Sequence, residues 1–147
     1  TDFSDAGRST CLDLIFSLAV EPALPAGLVF IYDYPACQAA LAQLGVDDQN
    51  HTVARRFEVF LNGMELANGY FELLDAVELQ SRFRADQALR ASEGKRSMAI
   101  DAKLLDAMSA GLPHCSGVAL GVDRLLMQML EATQIAEVMP FGQRHLL

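Results

Sequence analysis

Apolar and polar positions along the chain change between helical and strand spacing, which is typical of a domain that combines helices with a sheet. Five early apolar positions recur at helical intervals and predict a helix over about residues 6–20: Cys11, Leu12, Ile15, Phe16 and Ala19. The continuous apolar run GLVFIYDYP predicts a buried strand that ends at its proline. The next stretch, ACQAALAQLG, predicts a short helical or irregular turn.

The segment RRFEVFLNGMELANG contains two strand-like runs joined by Asn62-Gly63. Because both turn residues tolerate positive φ, this pattern predicts a β-hairpin with a two-residue turn. In the register that such a turn imposes, Glu58 faces Ala67 across the ladder. Glu58 and Glu65 are then diagonal neighbours on one face, roughly 7–8 Å apart at the backbone.

Strict alternation along the second strand of this hairpin has a further consequence. It places Asn68, Tyr70 and Glu72 together, but on the face opposite Glu65. If all these side chains line one site, a bulge must interrupt the strand, and Gly69 is the position where an irregular backbone costs least. The sequence therefore predicts a backbone irregularity at Gly69.

The second half of the chain contains clear helix boundaries. Asp75, with Glu78 three residues later, predicts a capped helix that ends by Gly94. Asp101 predicts the start of a shorter helix, which is stopped by Gly111 and the proline that follows. The stretch SGVALGVDRLLMQMLEA then passes from a strand of small residues into a helix.

Composition and charge narrow the function classes. The 147 residues are 52% hydrophobic without a run of about 18 apolar residues, which indicates one soluble domain or a piece of one and no membrane partner. The net charge of −8 argues against binding a phosphate backbone through this segment. The N-terminus lacks signal-peptide features, and three cysteines at irregular spacing favour reduced, buried thiols, so we expect a cytoplasmic protein.

The acidic and polar side chains of the hairpin suggest specific chemistry. Two carboxylates on one face, Glu58 and Glu65, suit Mg²⁺, which takes one or two carboxylates and completes its shell with water and substrate phosphates. The alternative is a solvated face, which the apolar neighbours of the two glutamates make less attractive. Glu72 can pair with a ligand ammonium, and Asn68 with a carboxylate or amino group. Tyr70 can cover an aliphatic stem, or it simply packs in the core.

A second group lies in SGVALGVDR. Gly117, Ala119 and Gly121 alternate on one predicted strand face and form a nearly flat surface for a ring or an extended ligand. Tight packing of a helix on the sheet explains the same pattern equally well. Arg124 follows at the start of a helix, where its five donors can engage a triphosphate or its plane can stack on a purine.

These motifs carry a family resemblance. RFEVFLNGMELANGYFEL, followed by GVALGVDRLLMQML, resembles the C-terminal half of a class II lysyl-tRNA synthetase core, the second stretch matching motif 3. DYPACQAALAQL, ELANGYFEL and CSGVALGVDRL are more similar to the paralogues that attach beta-lysine to a lysine of elongation factor P. The resemblance implies an α+β fold with the C-terminal half of the class II antiparallel sheet flanked by helices. It also implies ATP and Mg²⁺ as cofactors.

The resemblance also implies roles for individual residues. Glu58 and Glu65 match the acids that hold Mg²⁺ against ATP, and Arg124 matches the motif 3 arginine that contacts ATP. Glu65 and Arg124 are thus the expected catalytic residues. The expected substrate-binding residues are Asn68, Tyr70, Glu72, Gly117, Ala119 and Gly121. Ala119 departs from the glycine typical of the synthetases, and the added methyl can favour one lysine isomer by about 1–3 kcal/mol.

The activity that the resemblance implies has two steps. Lysine or beta-lysine is activated as an adenylate and then transferred to a lysine of elongation factor P, or to tRNA in a true synthetase. Motif 1 and motif 2, which supplies another arginine, are not found in this sequence. We therefore expect residues 1–147 to be a single partial catalytic domain, inactive alone. A fragment of a true lysyl-tRNA synthetase and a degenerate binding module are the alternatives, and the homodimer expected of the family stays open.

Overall fold

The computed structural model describes residues 7–141 and has the α+β architecture that the sequence predicts. The helices of the described part are α1 (Arg8–Ile15), α2 (Ala76–Ser92), α3 (Ala102–Ser109) and α4 (Val122–Leu130). The strands are β1 (Leu28–Pro35), β2 (Leu44–Val46), β3 (Thr52–Leu61), β4 (Met64–Phe71) and β5 (Ser116–Leu120). Within residues 7–141, three short 3-10 turns cover Glu21–Ala23, Ala36–Gln38 and Ile135–Glu137.

The predicted first helix is confirmed in outline. Its regular part is α1, and the backbone continues over Phe16–Val20 as a π-helical turn. The first residue of the predicted helix, Ala6, lies outside the described residues. The predicted turn after β1 is only partly correct, because Leu44–Val46 pairs with β3 as a short strand.

All strand pairs are antiparallel, and the main path through the sheet is β1-β3-β4-β5. The Asn62-Gly63 hairpin is confirmed: both turn residues have positive φ, at 51° and 78°. The Asn62 side chain also accepts a hydrogen bond from the Gly27 amide at 2.9 Å, which ties the turn to the start of β1. The hairpin is therefore held at its turn as well as along its ladder.

The register of the hairpin differs from the prediction beyond its first pairs. Phe60 faces Glu65 as expected, but Val59 faces Ala67, so Leu66 has no partner in β3. Glu58 consequently faces Asn68, and the predicted pairing of Glu58 with Ala67 is wrong.

An irregularity is thus confirmed, and its predicted location at Gly69 is wrong. Gly69 lies in regular pairs with Phe57 and Val118. A Cβ on Gly69 would lie 2.4 Å from the ring of Phe57 and 2.9 Å from the main-chain oxygen of Gly117. The glycine is required for close packing between strands and not for a bulge.

The predicted helix caps form at the expected positions. The Asp75 carboxylate accepts hydrogen bonds from the amides of Val77 and Glu78, and the Asp101 carboxylate accepts one from Leu104. The helices α2 and α3 then bury a small apolar cluster, formed by Leu73, Leu79 and Met108. Caps and cluster together fix these two helices beside the end of β4.

The two faces of the sheet differ in character. The face that carries Phe57 and Gly69 exposes large apolar side chains at its outer strands, including Phe30 (54% exposed), Tyr32 (69%), Val118 (60%) and Leu120 (50%). The apolar run GLVFIYDYP thus forms a strand as predicted, but the prediction that this strand is buried is wrong. β5 forms the edge of the sheet in the described part of the chain. The face that carries Phe57 and Gly69 is called the apolar face from here on. The opposite face carries the polar residues considered below.

Two smaller expectations concern cysteines and membranes. None of the three cysteines forms a disulfide, but Cys37 is exposed and Cys11 and Cys115 are half-buried, so the expectation of buried thiols is wrong. Within residues 7–141, no helix combines the length and apolarity needed to cross a lipid bilayer.

Substituting Gly69 by alanine is expected to lower the free energy of unfolding by about 1–3 kcal/mol, because the new methyl overlaps the Phe57 ring and the Gly117 backbone. Urea denaturation measures the loss. Gly7→Ala is the matched control, since no atom lies within 4 Å of the added carbon; because Gly7 is the N-cap of α1, its effect should stay below about 1 kcal/mol. Equal stabilities of the two variants would contradict this packing role.

Candidate active site

One face of the sheet gathers the polar residues that the sequence singles out. Directly opposed residues share a face, so Glu58 lies beside Asn68 and Asn68 beside Ala119. Because Leu66 is unpaired, Glu65 returns to this same face opposite Phe60. The structure thus brings both predicted groups, the carboxylate pair and the amino-acid edge, onto one surface.

Tyr70 and Glu72 complete the amino-acid edge of this surface. Tyr70 lies between Arg56 on β3 and Gly117 on β5. The Glu72 carboxylate lies over Gly117, since a Cβ there would come within 2.2 Å of Glu72 Oε1. Gly117 therefore provides the space that the Glu72 carboxylate occupies.

The predicted flat strand of small residues is confirmed only in part. Gly117 and Ala119 lie in β5, but the strand ends before Gly121, which precedes α4. The Gly121 amide donates to the main-chain oxygen of the unpaired Leu66 at 2.8 Å. A Cβ on Gly121 would make only ordinary contacts, so its structural role is this amide and not a lack of side chain.

Each carboxylate of the predicted pair has an arginine partner. Glu58 is buried and accepts hydrogen bonds from Arg56 and, at 3.3 Å, from the amide nitrogen of Asn68. Glu65 is partly exposed and lies 3.5 Å from Arg124, which also donates to the Glu65 main-chain oxygen at 2.8 Å. In this structure the guanidinium groups compensate the two negative charges.

Arg56 and Tyr34 belong to the site, although the sequence analysis did not single them out. The guanidinium carbon of Arg56 lies 4.5 Å from the centre of the Tyr34 ring and 5.9 Å from that of Tyr70. Its Nη1 donates to the main-chain oxygen of Gln38 at 3.2 Å. The available signal was alternation, because Arg56 stands two residues before Glu58 on the same strand and so shares its face.

Two buried polar atoms in this group have no hydrogen-bond partner: Arg56 Nε and Asn68 Oδ1. Burial and, after it, a hydrogen bond to the Glu58 carboxylate raise the pKa of the Tyr34 hydroxyl, which therefore stays protonated. Unpaired buried polar atoms are costly, and two in one place indicate a surface that is completed by a ligand.

Two cavities border this surface and meet at Glu65. One of about 480 Å³ lies between the sheet and the first helical segment, with walls that include Phe16, Tyr34, Arg56, Glu58 and Glu65. The other, of about 370 Å³, is lined by residues that include Glu65, Asn68, Ala119, Gly121 and Arg124. A ligand in the second cavity can therefore contact Glu65 of the carboxylate pair together with Asn68 and Ala119, whereas Tyr70 and Glu72 line neither cavity.

Comparison with known proteins places this geometry in a family. The model of the tRNA synthetases of class II (D, K and N) matches residues 21–145. The chain belongs to this family. The antiparallel sheet flanked by helices is consistent with a class II synthetase domain.

Curated relatives of this class II chain have a more specific name. The present chain is 51% identical over 139 residues to proteins named elongation factor P–(R)-beta-lysine ligase from Salmonella paratyphi B, Salmonella heidelberg and Salmonella enteritidis. The match covers 94% of the chain but 42% of each relative. The chain thus spans less than half the length of the curated relatives it matches.

The residues of this class II site fit Mg²⁺ held jointly with a nucleotide. Within residues 7–141, no group of three or more His, Cys, Asp or Glu side chains is placed to hold a metal by itself. Glu58 and Glu65 are hard oxygen donors, and Mg²⁺ commonly uses one or two carboxylates and takes its other ligands from phosphates and water. The carboxylate pair suits that mode of binding.

Gly117→Ala is expected to displace the Glu72 carboxylate from the surface and to change the free energy of unfolding by less than about 1 kcal/mol. The clash involves the mobile end of one side chain, unlike the clash at Gly69. A crystal structure of the variant and urea denaturation check both parts. A carboxylate that keeps its position in the variant would contradict this account.

Proposed function

We propose that this chain provides the carboxylate pair and the amino-acid edge of an ATP-dependent ligase. The ligase activates lysine or beta-lysine as an adenylate and transfers it to a lysine of elongation factor P. The observation that carries this proposal is the shared face, on which Glu58 and Glu65 lie next to Asn68. The names of the 51% identical relatives support the substrate and the acceptor.

Glu58, Glu65 and Arg124 form the nucleotide side of the proposed site. Mg²⁺, when bound, would shield the phosphate charges and orient the triphosphate. Arg124 stands at the start of α4 and is anchored on the Glu65 main-chain oxygen, so its remaining donors point to a fixed place. A permanent cation placed there stabilises the charge that develops on the α-phosphate.

Asn68, Tyr70 and Glu72 form the amino-acid side. The Glu72 carboxylate suits a ligand ammonium, and the unpartnered Asn68 Oδ1 suits an N–H donor. Tyr70 covers the aliphatic stem between them. Ala119, which faces Asn68, adds one methyl to the floor and favours the isomer whose amino group avoids it.

The proposed reaction proceeds in two transfers. A carboxylate oxygen of the amino acid attacks the α-phosphorus of ATP, a new O–P bond forms, the bond to the bridging oxygen breaks and pyrophosphate leaves. The acceptor lysine amine then attacks the acyl carbon, the acyl–oxygen bond breaks, AMP leaves and the amine loses a proton. Bringing both reactants onto one face would position them for in-line attack, and such positioning lowers the barrier to reaction.

The carboxylate pair is tested by calorimetry of the chain with ATP in the presence and absence of Mg²⁺. We expect weak, Mg²⁺-dependent binding that Glu65→Gln reduces at least about tenfold, because the variant loses one of two metal carboxylates. Glu93→Gln is the matched control: it makes the same charge change at an exposed helix end, where Glu93 pairs with Lys95. Binding that does not depend on Glu65 would support a degenerate module instead.

We further propose that residues 1–147 are one partial catalytic domain. To be active, this domain needs a polypeptide that corresponds to the unmatched part of its longer relatives. The exposed apolar face, the edge position of β5 and the 42% coverage of the relatives support this. Exposed apolar patches and uncovered strand edges usually mark surfaces that another polypeptide covers. The family homodimer and the cytoplasmic location stay predictions.

The chain alone is expected to show no pyrophosphate exchange with ATP and beta-lysine, because part of the charge-stabilising machinery is absent. Co-expression with the part of the Salmonella relative that this chain does not match should produce exchange. The same mixture made with the Glu65→Gln chain is the control and should stay inactive. Clear exchange by the isolated chain would contradict the partial-domain proposal.

A further inference from the structure

The two carboxylates of the proposed metal pair differ in how firmly they are held. Glu58 is 8% exposed, and both partners of its Arg56 ion pair are largely buried. Glu65 and its partner Arg124 are both far more exposed, and their side chains are 3.5 Å apart. The Glu58 carboxylate is therefore firmly paired with the Arg56 guanidinium, whereas the Glu65 carboxylate is accessible to a ligand.

Arg56 is fixed on several sides. One of its terminal nitrogens contacts Glu58 and the other donates to the Gln38 main-chain oxygen. The rings of Tyr34 and Tyr70 lie near the guanidinium, the closer at 4.5 Å. A guanidinium held by hydrogen bonds and aromatic faces keeps its place without a ligand, since its fork is already satisfied in part.

We propose that Arg56 is a positioning residue that supplies the counter-charge of Glu58 and thereby makes metal binding at the carboxylate pair depend on the nucleotide. The proposal rests on the proposed function, in which Glu58 and Glu65 hold Mg²⁺ with ATP. With Arg56 in place, a lone divalent cation meets a pair in which the buried carboxylate, Glu58, is already neutralised and the exposed one, Glu65, is only loosely paired with Arg124. The phosphates of ATP add the negative charge that makes metal binding favourable.

The electrostatics explain why the arginine stands at this position. A buried carboxylate without a partner is strongly destabilising, so a site that waits for its metal needs another cation nearby. Arg56 meets that need and also contacts Tyr70, on the amino-acid edge. It therefore links the metal side of the surface to the amino-acid side.

The test measures metal binding by the 147-residue chain in the absence of nucleotide. Mn²⁺, a hard cation that prefers oxygen ligands, is titrated and followed by electron paramagnetic resonance of the free ion. Arg56→Met keeps an apolar stem between the two rings and removes the charge. We expect the Mn²⁺ dissociation constant to fall about tenfold or more, because a cation no longer repels the metal at short range.

Two variants serve as controls, and a third is a replacement test variant. Arg55→Met makes the same change in net charge at the neighbouring, exposed position, and should change the Mn²⁺ dissociation constant by less than about twofold because salt screens it. Arg56→Lys retains the positive charge and should restore values within about threefold of the unmodified chain. Arg56→Gln is a second neutral variant in case Arg56→Met does not fold, as judged by circular dichroism.

A second readout is thermal stability. Added Mg²⁺ should raise the Tm of Arg56→Met more than that of the unmodified chain, because metal bound only to the folded state stabilises it. A merely structural role of Arg56 would lower the Tm without changing the response to metal.

The outcomes separate the two proposals. If Mn²⁺ binding depends on Glu65 but the neutral Arg56 variants do not tighten it, the role of Arg56 is overturned and the carboxylate pair stands. If neither the unmodified chain nor the neutral variants bind Mn²⁺ in a Glu65-dependent way, the carboxylate pair and the role of Arg56 both fall. Tightening that Glu65→Gln removes supports both.

Discussion

The unpaired residue Leu66 is the constraint on which the arrangement of the site depends. Strict alternation would place Glu65 and Asn68 on opposite faces, because side chains change face at every residue of a strand. The bulge brings them together. The main-chain oxygen of Leu66 also accepts a hydrogen bond from the Gly121 amide, so the same residue fixes the start of α4. From there Arg124 reaches back to Glu65. One extra residue thus aligns both halves of the proposed site and attaches α4 to the hairpin.

The charges on this surface are arranged at the expense of simple packing. Apolar residues in place of a buried ion pair are often neutral or even stabilising, so stability alone explains the pair of Glu58 and Arg56 poorly. A surface that handles phosphates and ammonium groups explains it better. The unpaired buried atoms Arg56 Nε and Asn68 Oδ1 fit the same view, because folded proteins rarely leave buried polar atoms without a hydrogen-bond partner.

Much of the fold follows from signals within a few residues. The Asn62-Gly63 turn, the Asp75 and Asp101 caps and the apolar run of β1 all form where the sequence predicts them. These features depend on local backbone preferences and on hydrogen bonds between near neighbours, which a sequence contains in full. The motifs around them were also enough to indicate the family, and alternation was enough to place Glu58 and Glu65 on one face.

The remaining features were decided by contacts between distant segments. When a strand is considered alone, a glycine is the least costly place for a bulge. Gly69, however, lies in a regular pair and packs closely against the Phe57 ring, and the irregularity falls at Leu66 instead. Likewise, the sequence does not show that Arg56 is held by Tyr34, which lies 22 positions earlier on another strand. The sequence by itself determined the local elements, the family and the candidate residues. The register and the ion pairs were decided only by tertiary structure, because they depend on which strands meet.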